Sequence, residues 1–421
     1  MSYPELPIEP ATPADFAAIH GLLNTLFHNL PPDETLTGAE HGVFEPDRSL
    51  VVRAGSAVVA HAGAYTRDLT VPGAVLPAAH VTLVGVAPTH RRQGLLTRLM
   101  QRQLRQIQAA GRESFAVLWA SEGPIYPRFG YGQATRQLHL DIRTTGLRLT
   151  PPTTAPSTTP PTAPTIRLHT GDPVPLWSDL APLYDRLRAD RPGWSDRTEA
   201  WWRYVLSDYP TRRSGGTERR VAVVETAAGI SGYAVWRGRG HWDERGPQGS
   251  VLVEELVAAD PDTSYALWRF LLSIDLTRTV SYLNTSTDEP LQYLVDEPRQ
   301  LGARVGHGLW VRIVDVAGAL TGRRYAADVD VVFEVTDPLL PENAGRWRLT
   351  ADAGGPAVCV RTDAPADLVC DVRDLGAAYL GGPPLAALAA AGRVREARSG
   401  ALARASTAFG WHRAPTGMGI F

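Results

Sequence analysis

The segment between residues 84 and 97 contains the residue types best suited to binding a phosphorylated ligand. A strand-like stretch runs into a turn at Pro88, and Arg91-Arg92-Gln93-Gly94 then begins an amphipathic helix. The free N–H groups and positive dipole of a helix N-terminus can hold a pyrophosphate, and a glycine there lets the phosphates approach the backbone. Six Arg and no acid lie between residues 91 and 112, which adds a local positive field. The segment predicts a pyrophosphate-binding loop.

The alternative for this segment is an ordinary strand, turn and helix whose arginines are solvated. A Walker-type phosphate loop is excluded because the chain contains no Lys. The same composition excludes Schiff-base chemistry by a lysine.

A second candidate is Tyr126, in residues 120–132, where Gly, Pro and aromatic residues follow a strand-like stretch. This composition predicts a structured loop. A phenol with a pKa of about 10 can donate a proton to a departing thiolate whose thiol has a pKa of about 8.5. For the neighbouring Phe129 and Tyr131, packing is the favoured interpretation. Tyr126 is therefore a candidate general acid.

The elements that would position these residues alternate between strand and helix. Apolar spacing predicts helices over residues 15–30 and 92–110, and strands over residues 50–59, 80–86 and 114–120. The order strand, helix, strand predicts a βαβ unit and an α/β domain.

Three domains are predicted along the chain. A Pro/Thr-rich linker or exposed loop, residues 150–165, follows a first domain of residues 1–149. In residues 166–300, strands that lead into a helix predict a second, fainter copy of the same fold. Short strands and Ala-rich helical stretches in residues 301–421 predict an α+β domain.

Composition excludes several classes of protein. The 421 residues carry 42 Lys+Arg and 44 Asp+Glu, a net charge of −2, which argues against a dedicated nucleic-acid binder. Without an apolar run of about 18 residues or a signal-peptide pattern, neither a membrane span nor secretion is expected. The two cysteines, Cys359 and Cys370, favour a reducing cytoplasm, and no Cys or His pattern predicts a metal site.

Together, the two candidate motifs resemble the Eis (enhanced intracellular survival) type N-acetyltransferases of the GNAT superfamily. The resemblance is most specific in the first domain and extends along the chain. The residues that carry it are 86–92 with 94–96, 121–123, 125–126, 128–132 and 134–135, and more weakly 265–269, 308–312 and 378–382.

The resemblance implies two GNAT-like domains followed by a sterol-carrier-protein-like C-terminal domain, and assembly as a homohexamer. It implies that only the first GNAT domain binds acetyl-CoA, without a metal. The residues themselves agree, because the stretch after Asp262 lacks an Arg/Gly loop. The expected donor-binding residues are Val84, Gly85, Val86, Arg91, Arg92, Gln93, Gly94, Leu95, Leu96, Thr97, Ser121 and Glu122.

The family mechanism, carried onto this sequence, assigns proton donation to the leaving thiolate to Tyr126. It assigns the general base to the C-terminal α-carboxylate, here that of Phe421. A free α-carboxyl has a pKa of about 3.3–3.7, which burial in a cleft would raise. A frayed terminus is the alternative. Ile420 stands where some family members have an acid, which implies a different recognition of cationic substrates.

The acceptor is expected to be an amine. The resemblance implies polycationic small molecules such as aminoglycosides, with lysines of proteins or peptides as the alternative. Residues 1–50 contain eight acids and one base, which suits a polycation, although a solvated surface is the favoured interpretation. The candidate acceptor contacts are His28, Asn29 and Leu83, within or near the region 27–30. A non-catalytic carrier of apolar ligands, using the C-terminal domain, is the alternative from a different class.

Overall fold

A computed structural model describes residues 6–29, 34–153 and 165–421 of the chain. Most of the predicted linker, residues 154–164, and Leu30 of the predicted acceptor region lie outside the described residues.

In the N-terminal part, the described residues form seven strands and three α-helices. The strands are β1 (Ile8–Pro10), β2 (Ser49–Ala54), β3 (Ala57–Val71), β4 (Ala74–Val86), β5 (Phe115–Trp119), β6 (Gly132–Gln133) and β7 (Arg136–Arg143). The helices are α1 (Phe16–Phe27), α2 (Glu34–Val43) and α3 (Leu95–Ala110). The predicted strand 50–59 is wrong in one respect, because a turn at Gly55, with φ of 63°, divides it into β2 and β3.

From residue 165 to the end of the central part, the structure shows nine strands and four α-helices. The strands are β8 (Thr165–His169), β9 (Arg220–Thr226), β10 (Gly229–Arg239), β11 (Trp242–Asp243), β12 (Gly246–Pro247), β13 (Gly249–Ala258), β14 (Thr277–Ser286), β15 (Arg304–His307) and β16 (Leu309–Ile313). The helices are α4 (Trp177–Arg188), α5 (Glu199–Leu206), α6 (Pro261–Leu272) and α7 (Leu291–Leu294).

Two seven-stranded sheets organise these elements, and each takes a strand from the other half of the chain. The first sheet has the order β1-β2-β3-β4-β5-β16-β6, and the second has the order β15-β7-β14-β13-β10-β9-β8. The sheets therefore do not follow the predicted division at residues 149 and 301. The fully buried β16 completes the first sheet by pairing with β5 from Leu309↔Trp119 to Ile313↔Phe115.

The first sheet lies between two layers of helix. The buried face of α3, which includes Leu99, Met100 and Leu104, packs against one side of β3 and β4. Ile19 and Leu23 of α1 cover the opposite side. The predicted βαβ unit is confirmed, because β4 and β5 are parallel and α3 connects them.

The C-terminal part is an α+β domain that packs on the first sheet. Its strands, in the sheet order β19-β18-β17-β20-β21, are β17 (Val329–Thr336), β18 (Gly345–Ala351), β19 (Ala357–Arg361), β20 (Leu368–Asp371) and β21 (Val394–Glu396). Its helices are α8 (Val316–Gly322), α9 (Val372–Ala378), α10 (Leu385–Ala390) and α11 (Ala401–Phe409). One buried apolar cluster joins this domain to the first sheet, for example Phe333 with Phe115.

Candidate active site

A slot opens between the parallel strands β4 and β5. They pair only at Ala79↔Ala116 and His80↔Val117. Within the described chain, no pairing between them continues beyond these residues, although β4 runs on to Val86. The backbone of residues 81–86 is therefore open to a ligand on the side facing β5.

A bulge in β4 shapes one wall of this slot. Thr82 pairs with Gly63 and Gly85 pairs with His61, so β4 has one more residue than β3 in this interval. Leu83 takes a φ of 54°, which is uncommon for a residue with a side chain. The Nδ1–H of His61 donates to the Leu83 carbonyl at 2.6 Å. Burial lowers the pKa of His61 to about 4, so the ring that supports the bulge is neutral near pH 7.

The bulge determines which face of the sheet each of the following side chains occupies. Leu83 packs with Leu23 on the side of α1, whereas Val84 packs with Leu99 on the side of α3. Gly85 again faces α1, where a Cβ atom would lie 2.4 Å from the Leu26 side chain. A side chain at residue 85 would therefore require the end of the Leu26 side chain to move.

The N-terminus of α3 lies open beside the slot. Gly94 is its N-cap residue, with φ of 78°, and no side chain caps the helix there. A Cβ atom at Gly94 would meet nothing within 4 Å, so backbone conformation rather than space favours glycine. Arg91 and Arg92 are exposed, and no hydrogen bond or ion pair joins either side chain to another described residue. Free N–H groups and free guanidinium groups together suit an anionic ligand.

The corresponding helix of the second sheet is closed to an anion. The Asp260 carboxylate caps α6, accepting a hydrogen bond from the Thr263 N–H at 2.8 Å, and Asp262 adds a second acid to the first turn. An acid at this place competes with a phosphate for the same N–H groups. The second sheet thus lacks the anion-binding feature of the first.

Tyr126 lies in the loop after β5 and is 5% exposed. Its ring belongs to a buried cluster that includes Val81, with Val84 packed against it. Burial raises the pKa of Tyr126, although a hydrogen bond with Ser121 opposes this effect. The phenol is therefore protonated near pH 7. Phe129 and Tyr131 are fully buried core residues, as their packing interpretation predicts.

The chain terminus lies on the other face of β4. The hydroxyl of Thr82 donates to the terminal oxygen of Phe421 at 2.8 Å. The Phe421 ring lies against the His80 ring, with centroids 4.7 Å apart, and packs with Trp201. The predicted proton donor and the predicted base thus both approach the 81–84 segment of β4, one from each face of the sheet.

Sequence reasoning missed Thr82 and His80 as the residues that receive the terminus. His80 is fully buried, its Nδ1–H donates to the Ala78 carbonyl at 3.0 Å, and its Nε2 accepts from the Ser195 hydroxyl at 2.7 Å. Burial holds the pKa of His80 well below its usual value, so the ring is a neutral platform. No sequence signal identified either residue. Phe421, which Thr82 binds, is 339 residues away along the chain, so no local pattern could connect the two.

The acidic N-terminal segment provides less free negative charge than its composition predicts. Glu5 and Asp33 lie outside the described residues, and Glu34 and Asp47 are exposed. The other four acids are engaged within the chain. The pairs are Glu9 and Asp15 with Arg53, Glu40 with His20 and Arg212, and Glu45 with Thr66.

The predicted acceptor residues are not gathered at one point. His28, with φ of 55°, and Asn29 are exposed at the C-terminal end of α1. Leu83 lies in the bulge and packs beneath α1. Across the described residues, no group of three or more His, Cys, Asp or Glu side chains is arranged to hold a metal ion. None of the described helices combines the length and apolar character needed to cross a membrane.

Three segments of the chain match known domain families. Residues 7–134 and residues 193–313 each match the acetyltransferase (GNAT) domain, and residues 316–417 match the sterol carrier protein domain. These matches confirm the predicted fold class and domain order.

Whole-chain relatives agree with the domain matches. An uncharacterized N-acetyltransferase of Streptomyces avermitilis is 46% identical over 372 residues, 88% of each chain. N-acetyltransferase Eis of Mycobacterium tuberculosis is 35% identical over 374 residues, 86% of this chain and 87% of that protein. The crystal structure of Eis1 from Mycobacterium abscessus superposes with a TM-score of 0.82 at 31% identity, covering 99% of this chain and 100% of Eis1.

Proposed function

The chain belongs to the Eis family of GNAT N-acetyltransferases, and from this membership we propose how its residues bind acetyl-CoA and transfer the acetyl group to an amine. The relatives named N-acetyltransferase and the GNAT domains make it an enzyme rather than a non-catalytic carrier of apolar ligands. GNAT acetyltransferases use acetyl-CoA as the donor.

In the proposal, the open N-terminus of α3 holds the pyrophosphate of acetyl-CoA. The N–H groups of Leu95, Leu96 and Thr97 point toward it, and Arg91, Arg92 and Gln93 supply charge and hydrogen bonds. Gly94 keeps the approach clear. The pantetheine arm occupies the slot beside β4 and pairs with backbone groups of Val84, Gly85 and Val86. Ser121 and Glu122, exposed at the end of β5, border its thiol end.

Acetyl transfer then needs three contributions from the chain. A backbone N–H of β4 polarises the thioester carbonyl. The Phe421 carboxylate takes a proton from the acceptor amine, which attacks the carbonyl carbon as a neutral nucleophile. The C–S bond breaks, and the Tyr126 hydroxyl gives its proton to the departing sulfur. The raised pKa of Tyr126 supports this role, because the phenol still carries its proton near neutral pH.

The observation that carries the proposal is the hydrogen bond between Thr82 and the terminal oxygen of Phe421. A frayed terminus would not make this hydrogen bond on the face of the first sheet, beside the slot. The Phe421 ring also packs against the His80 ring and the Trp201 cluster, and these contacts anchor the residue that carries the α-carboxylate.

For the acceptor, we propose primary amines of polycationic small molecules such as aminoglycosides, as the resemblance implies. The Phe421 carboxylate offers the negative charge that a cationic amine needs at the site of transfer. The acids of residues 1–50 add little, because four of those described are already paired. Lysines of proteins or peptides are therefore the second class to test.

The test is release of thiol from acetyl-CoA across a panel of aminoglycosides, simple polyamines and lysine peptides, with the acetylated product identified by mass. The Tyr126→Phe variant should release thiol at least about tenfold more slowly, because it loses the proton donor but keeps the ring. Phe129→Tyr, which adds a hydroxyl nearby, serves as a control for altered packing. Full activity of Tyr126→Phe would show that another group protonates the thiolate.

The same membership supports two broader proposals. We propose a homohexamer, which light scattering of the purified chain would test. We also propose a cytoplasmic location, which fits two buried free cysteines in a chain of this length. Fractionation of the host cell would test the location.

A further inference from the structure

The last eight residues follow a defined path between the two GNAT domains. Residues 415–417 are buried. At Gly417, a Cβ atom would lie 2.7 Å from the Trp119 ring and 3.1 Å from the Leu309 side chain. The tail therefore passes so close to β5 and β16 that only glycine fits at this point.

Two charged side chains of the second domain hold the start of this path. The Asp288 carboxylate accepts a hydrogen bond from the Ala414 N–H at 3.0 Å. Arg191 donates to the Ala414 carbonyl at 3.2 Å and to the two oxygens of Asp288 at 2.7 and 2.8 Å. Both backbone polar groups of Ala414 are thus bound by one ion pair. Ser286 also donates to Asp288 and fixes its orientation.

The loop that carries Arg191 is itself fixed to the first sheet. The Pro192 carbonyl accepts from the Thr416 N–H at 3.0 Å. Gly193 and Trp194 exchange backbone hydrogen bonds with Thr70 of β3, at 2.8 and 2.9 Å. Since β3 pairs with β4 along most of its length, the tail is held at a set distance from the strand that carries Thr82.

We propose that Arg191 and Asp288 are positioning residues for acetyl transfer, and that the second GNAT domain serves the reaction by holding the tail so that the Phe421 carboxylate stays at Thr82. This inference rests on the proposed role of Phe421 as the base. It also assigns a function to the second GNAT domain, whose α6 N-terminus is closed by Asp260. The Arg191–Asp288 pair acts through the tail, because its contacts are with residue 414 rather than with the terminus.

The length of the tail explains why such a hold matters. Six residues separate Ala414 from Phe421, and the seven residue steps between them span up to about 25 Å when extended. If it were released at residue 414, only the contacts at Thr416 and Gly417 would hold it, so the terminus would sample a larger volume and the fraction of molecules with the carboxylate at Thr82 would fall. The rate of transfer would fall in proportion to that fraction, while binding of acetyl-CoA at α3 would not change.

The experiment compares Asp288→Ala and Arg191→Gln with Asp330→Ala, which removes an exposed ion pair with Arg348 far from the tail. Carboxypeptidase digestion of the native full chain, followed as the rate of Phe release, measures how accessible the C-terminus is. This measurement does not depend on acetyltransferase activity. Steady-state kinetics give kcat and the KM for acetyl-CoA. Asp288→Asn keeps an oxygen acceptor for the Ala414 N–H, so it tests whether that hydrogen bond alone partly restores kcat and slow Phe release.

Phe release should be at least about tenfold faster in Asp288→Ala and Arg191→Gln than in the control, and kcat about tenfold to a hundredfold lower at unchanged KM. Release as slow as in Asp330→Ala would overturn the proposal. Fast release with an unchanged kcat would overturn the role of Phe421 instead, and the two failures are thereby separated. If Asp288→Ala does not fold, Arg191→Gln alone decides.

Discussion

Deleting Phe421 is the most direct perturbation of the proposed base. The new terminus would be the α-carboxylate of Ile420, one residue or about 3.3–3.6 Å back along the chain. The present contact between the Thr82 hydroxyl and the terminal oxygen is 2.8 Å, so a shift of this size breaks it. The deletion removes the carboxylate from Thr82 without removing any group that is proposed to hold acetyl-CoA.

The magnitude follows from what a positioned base contributes. General base catalysis is typically worth about 10²- to 10⁴-fold in rate, so the deletion should lower kcat by about that factor at an unchanged KM for acetyl-CoA. Phe421→Ala keeps the α-carboxylate and loses only the ring contacts with His80 and Trp201. Its loss should be smaller, about tenfold, because the ring helps to place the carboxylate but does not accept the proton.

The assay is thiol release with the best amine of the panel, measured across pH 6–9. A chain extended by a few residues after Phe421 should behave like the deletion, whereas the same extension at the N-terminus serves as the control. Equal rates for the deletion and Phe421→Ala would refute the reasoning, since they would show that the carboxylate is not needed where it lies. So would full activity of the C-terminally extended chain.

Two further predictions concern the donor loop and the bulge. Gly94→Ala should raise the KM for acetyl-CoA severalfold and leave the KM for the acceptor unchanged. The reason is that a residue with a Cβ costs roughly 1–2 kcal/mol in the left-handed conformation of residue 94, so the substitution alters the helix N-terminus. Titration with CoA would measure the affinity, and an unchanged value would contradict the prediction. For His61, whose pKa is about 4 in the folded chain against about 6.5 unfolded, the unfolded state binds the proton first as pH falls. The free energy of unfolding should therefore decrease between pH 6.5 and 4, by about 3 kcal/mol from this group. Urea unfolding of the wild type and His61→Gln across that range tests it, since the slope with pH should be smaller in the variant.

The sequence was sufficient for the features that depend on neighbouring residues. The buried face of α3 follows from local spacing, although the helix begins at Leu95 rather than at residue 92. The lack of an Arg/Gly loop before α6 was also visible in the sequence, whereas the Asp260 cap that closes α6 was not predicted. The bulge at Leu83 did not follow, because it is a property of the register between β3 and β4 and not of either strand alone.

Long-range partnerships were beyond sequence patterns for a different reason. The sequence predicts short strands in residues 301–421, and β16 is one of them, but alternating hydrophobicity does not say which sheet a strand joins. The acids of residues 1–50 read as available charge, yet their partners Arg53 and Arg212 lie outside that segment. In both cases the missing information is the identity of a distant partner, which only the folded chain supplies.

The exchange of strands and the path of the tail are parts of one arrangement. Because β16 lies beside β5, the chain enters the C-terminal domain directly from the first sheet. That domain then packs on the first sheet, and its last residues start close to β16, where Gly417 touches Leu309. If the C-terminal domain were attached only to the second sheet, the tail would have to cross the whole interface between the two sheets. The placement of β16 thus shortens the distance that the terminal carboxylate must span to reach Thr82, where we propose that it acts as the base.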